Sequence, residues 1–456
     1  MNAQTFSSEE LRRRTLERRA VEAAIWGMPI VSVHAMREAF FRDAKAKYND
    51  IVFWSKPSDW QNQTTTPNAS ARYVYFNFNT LPDGPVVLEI PAAVGAGLFG
   101  TLLDAWQVPL SDVGPAGEDL GRGGKYLLLP PDFKGDTPAG YIVVHSQTYN
   151  GYALFRAIPK TSSYEDVAGA IALVKQLRLY PLSKAAPPEQ RFIDMAGRMF
   201  DGIVGMDESF YANLAKMVNE EPILEQDRTL MGMLRELGLE KGKSFDPDAA
   251  AQAGLKNGIR EAHAWLKDRL LTYGTSYWPD SRWQIPALPV AVETAFSFER
   301  PSYLDVDARG IGYFSYYAPP KKLGEATFYL GTFKDAKGDL LRGDDNYKLH
   351  VPPNVPAKQF WALTLYDRET CGFIREMPRA GVDSYDQKMQ RNADGSVDIY
   401  IGAKPPAGKE ANWVQTVPGR GWFPFFRFYG PDKPLVDKTW KLPDIERCNE
   451  LGWISA

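Results

Sequence analysis

Tyr152-Ala153-Leu154-Phe155-Arg156-Ala157 leads within a few residues into Thr161-Ser162-Ser163-Tyr164-Glu165-Asp166-Val167-Ala168-Gly169-Ala170-Ile171-Ala172-Leu173-Val174-Lys175-Gln176-Leu177, and the hydrophobic period changes between the two. The first segment reads as a strand. In the second, Ser162 and Glu165 make a capping box, and Val167, Ile171, Val174 and Leu177 fall on one helical stripe. Upstream, from Ile51 to Pro159, short β-type runs broken by Gly and Pro (Arg72 to Phe78, Pro85 to Ile90, Tyr126 to Leu129, Tyr141 to Ser146) predict antiparallel strands. Downstream the helical period continues to Gly274, its last member running from about Pro247 to Tyr273 with Leu255, Ile259, Leu266 and Leu270 on the core face. After Pro286 strands return at Tyr313 to Tyr317, Ala326 to Thr332, Tyr347 to Val351, Phe360 to Tyr366, Val397 to Ile401 and Trp422 to Tyr429. Asn392-Ala393-Asp394-Gly395 should turn a hairpin.

Strands, then helices, then strands, without repeating βαβ units, predict a mainly β chain with a helical block (α+β), two antiparallel β-sandwich domains joined by a mid-chain helical region. The divisions expected are an N-terminal helical segment 1–50, a first β domain 51–160, a helical region 161–285 and a second β-sandwich domain 286–456. A doubly wound nucleotide fold does not fit this order. The nearest thing to a linker is Ala185-Ala186-Pro187-Pro188.

At 456 residues the chain exceeds a single small module. Its 44% hydrophobic and 24% charged residues are those of a chain that folds. With 53 Lys and Arg against 56 Asp and Glu, the net charge of -3 offers no field to collect phosphates, so nucleic acid is not an expected partner. Arg12, Arg13, Arg14, Arg18 and Arg19 precede an apolar stretch, Ala23 to Val33, in the manner of an export signal, but Glu22 borders it and Pro29 interrupts it. About 11 apolar residues also fall short of the ~20 that span a bilayer. Ser8 to Ala24 reads instead as an amphipathic helix capped by Ser7 or Ser8, and no integral membrane segment is expected. The expected compartment is the cytoplasm as the chain stands, or the periplasm or exterior should an export peptide have been removed.

Several motifs fail on context. Gly95-Ala96-Gly97-Leu98-Phe99-Gly100 matches a dinucleotide fingerprint, but Pro109 leaves no room for the three-turn helix whose N-terminus must face the pyrophosphate. Gly242-Lys243-Ser244 ends like a P-loop, yet Leu237 stands where its first Gly must be. His34, His145, His263 and His350 are scattered, and Cys371 and Cys448 cannot complete a structural zinc site, so neither metal nor cofactor is expected. His263 reads as a core histidine, and the Asp335, Asp339, Asp344, Asp345 cluster as a hairpin turn rather than a calcium loop. Cys371 has no local histidine and reads as a buried thiol.

What remains is aromatic and polar. Trp54, Trp60, Tyr73, Tyr75, Trp106 and Tyr152 crowd the first β region, interleaved with Asn62, Asn68, Arg72 and Asp104. Were their strands to line a cavity, the rings would supply contact area and the polar groups orientation; the plainer alternative is an ordinary β core. Asp104 and Trp106 are two apart, hence on one face of a strand, where an apolar wall would raise the carboxyl pKa. His34, with Glu38 one turn later, would suit a carboxylate-oriented imidazole if the fold brought Asp104 or Glu89 to it.

Asn62-Gln63-Thr64-Thr65-Thr66-Pro67-Asn68, Asp83-Gly84-Pro85-Val86-Val87-Leu88-Glu89-Ile90-Pro91 and Leu103-Asp104-Ala105-Trp106 resemble the bacterial domain of unknown function 1254. Asn346 to Pro352, Phe360 to Asp367, Asn392 to Tyr400 and Glu410-Ala411-Asn412-Trp413 resemble its usual companion, domain of unknown function 1214. The resemblance implies two β-sandwich domains, the second jelly-roll-like, and allows a homo-oligomer; it implies no agreed reaction. Met377 to Asp383 departs from the pattern common in relatives. Taken together, the residues lead us to expect a cofactor-independent hydrolase of small apolar ester- or amide-like compounds with its pocket in the first β domain. His34 and Asp104 would be its catalytic residues, and Asn68, Arg72, Tyr73, Tyr75 and Trp106 would contact the small-molecule ligand. The alternative is a non-enzymatic or envelope-associated module that binds a sugar or lipid. Trp413, Arg427, Tyr429 and Trp440 are expected to knit the second domain.

Overall fold

Ser7 starts the first helix, its hydroxyl accepting the Glu10 N–H at 3.1 Å. The computed structural model describes residues 6–161, 163–184, 188–322 and 327–448. That helix runs Ser8–Arg42, well beyond the expected Ala24. Arg12, Arg13 and Arg18 remain exposed while every residue from Ala23 to His34 is buried, so the apolar stretch is the inner half of a core helix. Pro29 has no N–H to give the Ile25 carbonyl. Gly310 comes against that carbonyl, where a Cβ would stand only 2.7 Å from the oxygen. The helix Ala249–Thr272 approaches the first helix as closely at Gly258, whose Cβ would lie 2.3 Å from the Ala20 Cβ. Among the described residues no helix is long and apolar enough to cross a membrane.

The first region builds two open sheets. A six-stranded sheet has the order Phe192–Asp194, Ile51–Phe53, Arg72–Asn79, Asn150–Pro159, Ala96–Asp104, Pro109–Val113. A four-stranded sheet has the order Arg178–Pro181, Val86–Ile90, Gly124–Leu129, Ile142–His145. Val74, Phe76, Leu102 and Phe155 from the first share one buried cluster with Leu88, Tyr126 and Leu179 from the second, and with Leu173 and Val174 of the helix Tyr164–Val174. Ser163 caps that helix; the capping box placed at Ser162 and the linker at 185–187 lie outside the described residues. Strands beyond residue 160 therefore complete the first region's sheets. The other face of the six-stranded sheet carries Tyr73, Tyr75 and Tyr152, packed on Met36 and Phe40 of the first helix and on Tyr317.

The second region repeats the plan. Its six-stranded sheet has the order Thr275–Ser276, Gln284–Ile285, Thr327–Gly331, Trp422–Pro431, Ala357–Asp367, Gly381–Asp383, and its four-stranded sheet the order Trp413–Gln415, Val397–Gly402, Asn346–Val351, Glu446–Cys448. Leu330, Leu363, Phe426 and Phe428 meet Tyr347, Leu349 and Ile399 in a cluster that also takes in the helices.

Three expectations change. Pairing is not antiparallel throughout: Ile51–Phe53 with Phe192–Asp194, Gly124–Leu129 with Ile142–His145, and Val397–Gly402 with Trp413–Gln415 run parallel, long connections having turned the chain around. The strand expected at Tyr313 to Tyr317 is instead the end of the helix Val306–Ser315, started by Asp305, whose carboxylate accepts the Ala308 N–H at 3.0 Å. A short aromatic run carries no period of its own, and this cap decides the matter. Asn392 to Gly395 does form a turn, closed by Gly395 N–H to Asn392 O at 2.9 Å, but the strands on either side belong to different sheets.

Candidate functional site

Trp422–Pro431 occupies a central position in its sheet, and its two-residue period puts Phe425, Arg427 and Tyr429 on the face turned away from the second region's core. Tyr329 lies directly across the ladder from Arg427, and Phe360 from Tyr429. On the first region's six-stranded sheet Arg156 pairs with Tyr73, its guanidinium 5.6 Å from the centre of the Tyr73 ring. Between the two sheets runs 62–68. Gln63 donates to the Phe373 carbonyl at 3.1 Å, the Thr66 hydroxyl to the Ser315 carbonyl at 2.9 Å, and the Pro67 carbonyl accepts the Tyr366 hydroxyl at 2.6 Å. The Asn68 amide donates to the Tyr429 hydroxyl and its backbone N–H to the Tyr73 hydroxyl. This seam is one of the places where the two regions meet in polar contact.

Arg427 is 2% exposed. Its guanidinium carbon sits 5.0 Å from the centre of the Tyr329 ring, 5.4 Å from that of Phe425 and 5.6 Å from that of Tyr366, and Nη2 donates to the Thr66 carbonyl at 3.3 Å. Arg427 Nε and Nη1 and Arg156 Nε are buried with no acceptor in hydrogen-bonding geometry. Among the described residues neither arginine has an ion-pair partner. Buried N–H donors are almost always satisfied, and buried cations are normally paired. The seam therefore holds two guanidinium groups set among phenol oxygens, Arg427 beside Tyr329 and Tyr366 and Arg156 beside Tyr73, with three of their N–H donors outside hydrogen-bonding geometry. Burial raises the Tyr329 phenol pKa, but Arg156 and Arg427 outweigh it and leave the phenol lowered. Tyr329 and Arg156 are only half-buried, so solvent reaches this end of the seam. Such an arrangement can bind an anionic or polarised oxygen and can offer a phenol as proton acceptor.

Of the residues singled out from sequence, Asn68 and Tyr73 belong to the seam. The Tyr75 hydroxyl lies 3.2 Å from both Asn77 Oδ1 and the Tyr317 hydroxyl. Asp104 Oδ1 accepts the N–H groups of Trp106 and Val108 at 2.8 and 2.9 Å, closing a tight turn, and burial lifts its pKa to about 7. The Trp106 ring lies 4.9 Å from Trp26 and 4.9 Å from the Arg309 guanidinium. His34 sits in the first helix, its Nδ1 3.3 Å from Arg37 Nη2, while Arg37 pairs with Glu220 at 2.6 Å. An imidazole accepting at Nδ1 is neutral and carries its proton on Nε2; burial, then Arg37, pulls its pKa down to about 4. Glu38 stands 3.9 Å from His34, whereas Glu89 is engaged by Lys125 and Tyr180. No hydrogen bond or ion pair joins His34 to Asp104. Arg72, half-buried, donates to the Ser55 carbonyl at 3.3 Å. The set expected to surround one hollow is thus divided among separate, ring-packed neighbourhoods.

Two hollows lie elsewhere. A narrow apolar cleft enclosing about 30 Å³ runs between the helices Ala249–Thr272 and Val306–Ser315 and the second region's six-stranded sheet. An open groove of about 450 Å³ is bordered by Arg42, Asp43, Asp201 and Arg375, whose charges already pair with one another. None of the seven expected site residues lines either.

The discarded motifs keep their plain readings. Ala96–Asp104 carries the glycine-rich fingerprint straight into a strand. Asp335 Oδ1 caps Lys337 and Asp339 N–H in a turn, and no group of metal-ligating side chains forms among the described residues. His263 contacts the Glu369 carbonyl at 3.2 Å and the Phe314 ring. Cys371 is buried, and burial pushes its thiol pKa up.

The seam's two contributors correspond to two known families. The protein of unknown function family DUF1254 matches residues 48–181, and the protein of unknown function family DUF1214 matches residues 326–433. The chain belongs to the DUF1254–DUF1214 family. Segment 62–68 lies in the first match, and Tyr329, Tyr366, Arg427 and Tyr429 in the second. Among solved structures, the VPA0106 protein from Vibrio parahaemolyticus is similar at 18% identity and TM-score 0.53, covering 95% of this chain and 100% of its own; the likeness is one of fold. An uncharacterised protein from Burkholderia cenocepacia matches at 15% identity and TM-score 0.40, covering 95% of this chain and 94% of its own. No curated protein matches.

Sequence reasoning missed Arg156 and Tyr329, and gave Arg427 a purely structural role. The signal was present: Arg427 stands in Phe425-Phe426-Arg427-Phe428, and Arg156 shares a strand face with Tyr152 and Leu154. A cation in the inward register of an apolar strand needs a partner or a purpose.

Proposed function

We propose that the protein is a small-molecule hydrolase of ester- or amide-like compounds that works without a cofactor, with its site in the seam between the two regions rather than within the first β domain. The observation that carries this is the pair of guanidinium groups, with three N–H donors outside hydrogen-bonding geometry, beside a half-buried tyrosine. The donors of Arg427 and Arg156 would stabilise the oxyanion that forms when a carbonyl is attacked. Tyr329, as the phenolate that Arg156 and Arg427 favour, would take the proton from the attacking water, becoming the neutral phenol, and return it to the leaving group. Aromatic walls would hold the apolar part of the ligand. We also read each pair of sheets as a β-sandwich, the second jelly-roll-like; the shared core clusters support it.

A panel of nitrophenyl esters tests the reading by chromophore release. Tyr329→Phe and Arg427→Met should each lower kcat/KM by about 10²-fold or more, while Asp104→Asn should leave it within a few fold. Turnover that survives both seam substitutions and vanishes with Asp104→Asn would move the chemistry to the Asp104 turn.

A second reading, binding without turnover, has its own support. Tyr385, 60% exposed, stacks on Phe360 at 4.7 Å, and Phe360 on Tyr429 at 3.9 Å. This ladder of rings leads from solvent to the seam and could hold a sugar or lipid. Ligands that raise Tm yet are recovered unchanged favour it.

A further inference from the structure

The apolar cleft and the seam share a wall. Phe425 lines the cleft, and its ring lies 5.4 Å from the Arg427 guanidinium. Ser315 also lines the cleft, and its carbonyl accepts the Thr66 hydroxyl, while Thr66's own carbonyl accepts from Arg427. One ring and one hydrogen-bonded link therefore separate an apolar slit from two guanidinium groups, of which Arg427 Nε and Nη1 and Arg156 Nε have no acceptor in hydrogen-bonding geometry. Leu270, Ile285, Leu288, Ile311 and Phe333 form much of the slit's remaining surface. At about 30 Å³ it has room for roughly two water molecules as it stands, and those waters would find few polar partners there. Displacing them with a slender apolar guest exchanges poorly bonded water for contact.

We infer that this cleft receives the alkyl chain of a ligand whose oxygen-bearing head meets Arg427 and Arg156, so that the natural substrates are alkyl esters, or the corresponding carboxylates, with several methylenes. The inference rests on the seam being the ligand's head site. An alkyl tail is the occupant that matches both parts: it is thin enough for a slit that a fused ring would have to force apart, and its carbonyl or carboxylate complements the unpaired guanidinium donors.

The test is a series of nitrophenyl esters from acetate to dodecanoate, paired with thermal-shift titration by the matching fatty acids. In the wild type, KM should fall about threefold to fourfold for each methylene that enters the cleft and then level off. Ile285→Trp and, as a second filling variant, Leu270→Trp should flatten that dependence, raising KM for the long esters far more than for acetate. A wild type that hydrolyses acetate with no chain-length trend, or filling variants that keep the trend, would overturn the inference and leave the seam reading standing. If no ester turns over but fatty acids raise Tm in proportion to chain length, and Arg427→Met and Ile285→Trp each abolish this, the cleft inference holds and hydrolysis fails. Neither turnover nor chain-dependent stabilisation would sink both.

Discussion

Replacing Asp104 by Asn weighs burial against hydrogen bonding at one carboxyl. Asp104 is 2% exposed, and its Oδ1 accepts two backbone N–H groups that favour the ionised form. Burial nevertheless wins and sets the folded pKa at about 7, against 3.8 for a free side chain. Since the folded value exceeds the unfolded one, the folded state holds the proton more tightly. The contribution is fully present below pH 3.8 and is lost as pH rises through 7. The gap is about three pKa units, equivalent to roughly 4 kcal/mol at about 1.4 per unit. Asn keeps the acceptor oxygen and stays neutral at every pH. Asp104→Asn should therefore be stabilising by about 1 kcal/mol at pH 4.5, where the unfolded carboxyl is already largely ionised, and by about 4 kcal/mol at pH 8, read from urea midpoints of both proteins with the m-value held constant. A difference between variant and wild type that is the same at both pH values, or a variant weaker at pH 8, would show that the two N–H donors outweigh desolvation and that the argument is wrong.

Three further outcomes are expected. His34 titrates with the opposite sign, its folded pKa having fallen from 6.5 to about 4, so stability should drop as pH goes from 6.5 to 4 by up to about 3 kcal/mol; His34→Gln should remove that slope, which acid-limb urea titrations would show. Gly258→Leu would force a side chain where even a Cβ stands 2.3 Å from Ala20, and should cost about 2–3 kcal/mol in denaturant unfolding. Gln107 donates to the Pro29 carbonyl at 3.0 Å and accepts the Tyr152 hydroxyl at 3.0 Å, both buried; Gln107→Ala should cost about 1–2 kcal/mol in denaturant unfolding, because two buried hydrogen bonds are lost.

Much of the architecture was legible because it rests on local period. The strands Arg72–Asn79 and Trp422–Pro431 and the helix Ala249–Thr272 lie within a residue or two of their sequence readings. The helix Ser8–Arg42 continues through Pro29, usually a stop signal, and the close approach of Gly310 to the Ile25 carbonyl that Pro29 leaves without its donor carries no local sequence signal. The parallel pairs escaped notice because direction depends on connections that carry no period. The candidate site was legible only in part. Asn68 and Tyr73 were found through polar-aromatic composition, but Arg156 and Tyr329 are 173 residues apart, and their approach is a property of how two sheets dock. His34 and Asp104 drew attention as reactive residue types, and each turned out to be engaged by its nearest neighbours.

The docking of 62–68 onto the downstream sheet bears on how such chains can be recombined. A hybrid that joins the upstream half of one relative to the downstream half of another, cut within the helix Ala249–Thr272, keeps each region's strands with their own sheets and still pairs a foreign tether with Tyr366, Phe373 and Tyr429. Grafts that carry the tether along with the sheet it grips should refold where plain halves do not, because the boundary that matters for exchange lies inside the upstream match.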